Sequence, residues 1–136
     1  MADAPRDPQE AALALEFYQR QLDAVSRQIE FLQGVLDEVH RAKRTLEGLE
    51  EATSHDVLVP MGAATFVHGT VDAAGKVIVG IGAGYATERT RQEAVAHLEA
   101  RIKQTESELD NMMQAAVQLQ QQAAQLTDRF DEETDA

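Results

Sequence analysis

Residues 77–85 read V-I-V-G-I-G-A-G-Y, an apolar run that breaks into alternating glycines, and Thr90-Arg91-Gln92-Glu93 follows with the pattern of a helix start. Glycines after a strand and before a helix suit a phosphate-cradling loop, because the backbone can approach a pyrophosphate at the helix N-terminus. The dinucleotide version needs a third glycine where this chain has Tyr85, and a helix that leads back to a parallel strand. Neither is present in the sequence pattern. Gly80, Gly82 and Gly84 are therefore expected to serve the backbone itself, by bulging, close strand packing and a tight hairpin reversal.

Other chemistry is sparsely supported. His40, His55, His68 and His97 are scattered without a His-Glu-x-x-His pair, and Ser26, Ser54 and Ser107 lie in no nucleophile-elbow context. Glu93 and His97 stand one helical turn apart, a spacing more typical of a surface contact than of a metal site. The chain has no cysteine, which excludes disulfides, thiolate nucleophiles and cysteine-based metal sites. No catalytic residue, metal or cofactor is expected, and the protein is not expected to be an enzyme.

Composition points to long helices. The 136 residues suit one domain, 43% are hydrophobic, only 4% are aromatic, and alanine and glutamine are abundant. Asp and Glu number 24 against 12 Lys and Arg, for a net charge of -12, which opposes binding to nucleic acid or an anionic membrane. Only Lys43, Lys76 and Lys103 are lysines, a balance that also suits a cytoplasm of high salt. No stretch approaches ~18 consecutive apolar residues, and the polar, acidic N-terminus is unlike a signal peptide. A cytoplasmic protein is expected.

Asp7-Pro8-Gln9-Glu10 supplies a capping acid and a proline at the first helical position. From there Leu15, Tyr18, Leu22, Val25, Ile29, Leu32, Leu36, Val39, Lys43 and Leu46 follow a 3,4 spacing, the seam of a coiled coil. After the Thr90 capping box, Val95, Leu98, Ile102, Thr105, Leu109, Met112, Ala116, Leu119, Ala123, Leu126 and Phe130 repeat it. Each helix spans roughly 40 residues, about 60 Å. Pairing Leu46 with Val95, Leu32 with Leu109 and Leu15 with Leu126 matches seam to seam. Registers shifted by seven also match, but the connecting segment ties Leu46 and Val95 at one end, so an antiparallel intramolecular coiled coil is expected. Lys43 and Thr105 are polar seam positions expected to fix register or loosen the coil.

Residues 55–89 differ in kind. Val57-Leu58-Val59-Pro60-Met61, Thr65 to Val71, Val77 to Ile81 and Tyr85-Ala86-Thr87 are β-rich runs separated by turns at Gly62-Ala63, Asp72 to Gly75 and Gly82 to Gly84. Two hairpins are expected, with Pro60 on an edge. The fold class is mainly α, a long antiparallel two-helix coiled coil with a small β base of two hairpins between the helices. One domain over 1–136 is expected, with helices at 8–52 and 90–131 flanking the base at 55–89.

This layout, with V-L-V-P-M-G at 57–62 and V-I-V-G-I-G-A-G-Y-A-T-E-R-T at 77–90, resembles the alpha class of the archaeal prefoldin family over nearly the full chain. Its most specific part is residues 57–94, and two hairpins fit the alpha class because beta subunits carry one. The resemblance implies a hexamer of two alpha and four beta subunits whose hairpins build a β-barrel base. Val57, Val59, Phe66, Val67, Val71, Val77, Val79, Gly82, Gly84 and Tyr85 are the base residues expected here. It further implies coiled coils that hold unfolded polypeptides, without ATP, for a group II chaperonin.

With Leu15 and Tyr18 at heptad positions a and d, Leu13 falls at f and Phe17 at c, both directed away from the partner helix. Together with Leu15, Tyr18 and Leu22, and with Leu119, Leu126 and Phe130 of the second helix, they form the expected client-gripping tip, at the end farthest from the β segment. Phe31 is also at an outward c position, and its role is open between a secondary contact and none. The alternative reading is a structural coiled-coil scaffold that binds one fixed protein partner; breadth of clients separates the two.

Overall fold

The computed structural model describes residues 7–52, 54–72 and 74–134. Thr53 and Ala73, at two expected breaks, lie outside the described residues, as do the side chains of Glu51, Phe130 and residues 132–134. Two long helices, α1 (Pro8–Glu51) and α2 (Arg91–Thr134), enclose in sequence four strands: β1 (Asp56–Gly62), β2 (Thr65–Thr70), β3 (Val77–Gly82) and β4 (Tyr85–Arg89).

Both helices start where their capping residues dictate. Asp7 Oδ1 accepts the Gln9 N–H at 3.1 Å and the Asp7 carbonyl accepts that of Ala11 at 3.0 Å. Thr90 Oγ1 accepts the Glu93 N–H at 3.2 Å, while the Glu93 carboxylate lies 3.7 Å from Arg89 Nη1. These side-chain oxygens satisfy N–H groups that have no partner inside the helix. The second helix runs through Thr134, past the end expected at 131. Acidic residues there do not interrupt the backbone ladder, since glutamate is a good helix former.

The chain divides into two compact units. In the first, α1 up to Val35 packs with α2 from Thr105. Leu15, Tyr18, Leu22, Val25 and Ile29 are half-buried and Leu32 is buried, facing half-buried Leu109, Met112, Ala116, Leu119 and Ala123 and buried Thr105 and Leu126. Leu15 and Leu126 line one small cavity, as the expected pairing requires.

The second unit, Leu36–Gln104, holds the remaining coil and both hairpins. Val39, Ala94 and Ile102 are buried there. Lys43 Nζ lies 3.4 Å from Glu99 and Arg91 Nη2 lies 3.7 Å from Glu50, so the partner number falls as the α1 number rises and the helices are antiparallel. Lys43 also approaches Glu47 at 3.7 Å. A lysine at a seam position reaches out to carboxylates beside the seam, which favours one register at some cost in packing.

Strands β1 and β2 pair only with each other, as do β3 and β4. The two hairpins share one design. Their register shifts between Pro60 and Gly62 and between Gly80 and Gly82, leaving Met61 and Ile81 as bulge residues. Gly62 and Gly82 follow with φ of 104° and 101°. The reversal itself is carried by Ala63 and Ala64 (φ 49° and 59°) and by Ala83 and Gly84 (φ 53° and 78°). The first turn therefore lies one residue later than the expected Gly62-Ala63. Two successive left-handed residues twist in the sense of the flanking strands, which is why such turns close tight hairpins even when alanine must adopt them.

Valine at Gly82 or Gly84 is expected to destabilise the second hairpin by roughly 1–2 kcal/mol, the penalty for a left-handed L-residue. Gly80 has ordinary φ and open space around a built Cβ, so Gly80→Val should be far milder. Thermal unfolding of the three variants checks this, and equal losses at Gly80 and Gly82 would contradict the argument from φ. Lys43→Leu should raise Tm by a few degrees, because exposed ion pairs contribute at most ~1 kcal/mol and an apolar seam residue contributes more.

Candidate binding surfaces

Large apolar groups are exposed on both hairpins. Leu58, Met61 and Phe66 of the first hairpin and Ile78, Ile81 and Tyr85 of the second are all more than half exposed, Ile78 and Tyr85 each at 72%. Val59 and Val67, directly paired, are also exposed. Two-stranded ribbons have an edge on each side and cannot cover both faces, so these groups have nothing within their own sheet to bury them.

The expected base residues divide by face. Val57, Val71, Val77 and Val79 are half-buried, whereas Val59, Phe66, Val67 and Tyr85 are exposed. Val77 and Val79 line a cleft of 630 Å³ between β3 and the helices, with Leu46, Ala94 and Leu98 across from them. They pack toward the coil of their own unit. Leu58, Met61, Ile78 and Ile81 were not among the expected base residues and are exposed. Strand alternation puts Leu58 and Ile78 on the face opposite Val57 and Val79, while Met61 and Ile81 are bulge residues outside that alternation, and runs apolar on both faces give no sign of which one the helices cover.

The glycine loop is settled by its neighbours. Gly82 to Gly84 join two antiparallel strands, so the loop is a hairpin turn, and α2 begins only after β4. Among the described residues no three His, Cys, Asp or Glu side chains cluster, and no helix is long and apolar enough to cross a membrane.

In the first unit, Leu13 and Phe17 are 66% and 57% exposed, one helical turn apart on α1. The Phe17 ring meets Tyr18 edge-on, with centroids 5.9 Å apart. Leu15, Tyr18, Leu22 and Leu119 are half-buried, and Leu126 is buried at 8%. They belong to the seam, and of the expected grip only Leu13 and Phe17 present most of their surface; the Phe130 side chain lies outside the described residues. Phe31, at 66%, and Met113 and Val117 are further exposed apolar groups in this unit.

A family model described as prefoldin subunit matches residues 18–135. The chain is similar to prefoldin subunit alpha of Methanoculleus marisnigri, 32% identical with 93% of this chain and 85% of that protein covered. Similarity to prefoldin subunit alpha of Pyrococcus horikoshii is 28% identity, covering 97% and 90%. Among solved structures it is similar to filamentous PFD from Methanocaldococcus jannaschii, with TM-score 0.71, 25% identity and 85% and 97% covered. It is also similar in fold to a prefoldin beta subunit from a Thermococcus strain, with TM-score 0.62, 22% identity and 98% and 96% covered.

The exposed hairpin faces lead to a measurable expectation. The isolated chain at micromolar concentration, in salt high enough to screen its charge, should scatter light as an oligomer. Ile78→Ser with Tyr85→Ser should shift it toward monomer while leaving helicity by circular dichroism intact. A folded monomer of the parent chain would contradict the need for partners at the hairpins.

Proposed function

The chain belongs to the prefoldin family, and on that premise we propose that it is the alpha-type subunit of an ATP-independent holdase chaperone. The match across residues 18–135 carries this reading, and the family's members are chaperones rather than enzymes. Unfolded polypeptides are the ligands, held through apolar groups that the coil leaves exposed and passed to a group II chaperonin in the cytoplasm. Two such subunits join four beta subunits through the hairpins, whose exposed apolar faces and free strand edges suit burial against other subunits.

Holding without chemistry calls for weak, repeated contacts. Leu13 and Phe17 offer a small apolar grip that the seam leaves mostly exposed, and a contact of ~60 Å² at ~25 cal/mol per Å² gives ~1.5 kcal/mol, about tenfold in affinity. Several tethered coils in one assembly raise effective concentration and can add ~10²-fold in avidity. Release then needs no nucleotide, because each contact breaks independently.

Leu13→Ser with Phe17→Ser tests the reading. Positions f and c lie outside the seam, so helicity and assembly mass should be unchanged while suppression of aggregation of a chemically denatured client falls. The measurement is light scattering of the diluting client with parent and variant at equal concentration, repeated for several unrelated clients. Undiminished protection by a normally assembled variant would remove the grip, and protection confined to one client would favour a scaffold with a fixed partner.

A further inference from the structure

The cleft beside β3 meets an unpaired strand edge. Four consecutive residues, Val77 to Gly80, line it, and no residue of β4 does. Successive side chains point to opposite faces of a strand, so a surface touched by all four is an edge, the one turned away from β4. A second groove continues along Gly80, Ile81 and Gly82, with His97 and Arg101 common to both. Between Val77 and Gly82 the strand has no proline and no charge, the devices that commonly guard an open edge.

Chemistry changes along this groove. Leu46, Ala94 and Leu98 line only the part beside Val77, which is apolar. Toward Gly82 the α2 residues are His97, Ala100, Arg101 and Gln104. Arg41 belongs with them, because the contact between Lys43 and Glu99 sets α1 residues just before 43 beside α2 residues just after 99. Glu38 is the one carboxylate that lines the cleft. Two arginines and a histidine against a single acid run counter to a chain of net charge -12.

We propose that the groove takes β1 of a second copy of this chain, antiparallel to β3, with Asp56 of that copy at Arg41 and Arg101 and its Leu58 at Leu46. The proposal rests on the reading of the hairpins as assembly surfaces and adds a contact of the chain with itself. A strand running opposite to β3 enters at the cationic end and leaves at the apolar end. Among the four strands only β1 carries an acid two residues before an apolar side chain. Asp56 and Leu58 share one face, about 7 Å apart, and both are exposed, whereas Val57 between them is half-buried. The Val71 N–H donates to the His55 carbonyl, so by alternation Asp56 and Leu58 turn their own N–H and C=O groups to the open edge of β1. Pro60 has no N–H and ends the pairing, which fixes its register. Donor strand and acceptor groove are different patches, so every copy keeps one of each and association runs past a dimer or closes as a ring.

The test is a charge swap in the full-length chain, with mass read by light scattering and helicity by circular dichroism. Arg41→Asp and Asp56→Arg, both at exposed positions, should each lower the mass toward monomer. An equimolar mixture of the two should restore it, because each variant then finds its complement in the other. Asp56→Asn, which keeps the shape, should weaken association about tenfold. Lys103→Asp changes charge as much as Arg41→Asp does but lies outside the groove, and it should leave the mass unchanged. If the charge variants keep the parent's mass while Ile78→Ser with Tyr85→Ser loses it, the hairpins associate by their outer faces, and the groove contact is overturned with the assembly reading intact. If mixing restores nothing, the charges act within one copy and the proposal is overturned. If the variants keep the mass of the chain alone but no longer join a beta-type prefoldin subunit, that subunit's strand fills the groove and the self-contact is overturned. A parent that stays monomeric both alone and with a beta-type subunit overturns the assembly reading and this contact together.

Discussion

Two helices packed against each other can bury only one stripe apiece, and nearly everything else about this protein follows from that limit. The seam supplies almost all of the core: Leu32, Val39, Ala94, Ile102 and Leu126 are the buried apolar groups among the described residues, with Thr105 among them, and no large side chain is fully enclosed. A stripe this narrow cannot tolerate breaks, so a 3,4 spacing persists through both helices and is interrupted only by residues that stay compatible with it. Lys43 illustrates the tolerance. Its stem remains at the seam while its ammonium reaches Glu47 and Glu99.

The same limit leaves the outer faces free of packing duties, so charge and apolar groups there can be arranged for interaction. Acidic rows on one side of the coil repel like charge at low salt. Because a coiled coil has no interior large enough for a ligand, any binding must use such an outer side, and its affinity must come from repetition rather than from a pocket.

The hairpins meet the limit differently. Each is a lone ribbon whose turn is fixed by left-handed residues and whose bulge places Met61 or Ile81 in the same position. One face of the second hairpin is partly covered by the helices through Val77 and Val79, and the other carries Ile78 in the open. A lone two-stranded ribbon is marginal in water, and covering its open apolar face would stabilise it.

Sequence pattern determined the helices, their caps, their antiparallel pairing and the two hairpins between them, because seam spacing, capping side chains, glycine turns and a short connection each leave a signal within a few neighbouring residues. The seam residues from Leu15 to Leu46 and from Val95 to Leu126 are legible for that reason. Tertiary structure decided which residues remain exposed once the seam has formed. Leu126 reads equally as grip or seam in sequence and is buried, whereas Leu13, Phe17 and Phe31 stay open. It also decided that Val77 and Val79 turn toward the coil while Ile78 turns away, a choice invisible in a run that is apolar on both faces. The turn at Ala63-Ala64 escaped as well, since alanine carries no sequence signal for a positive φ that only closure of the hairpin imposes.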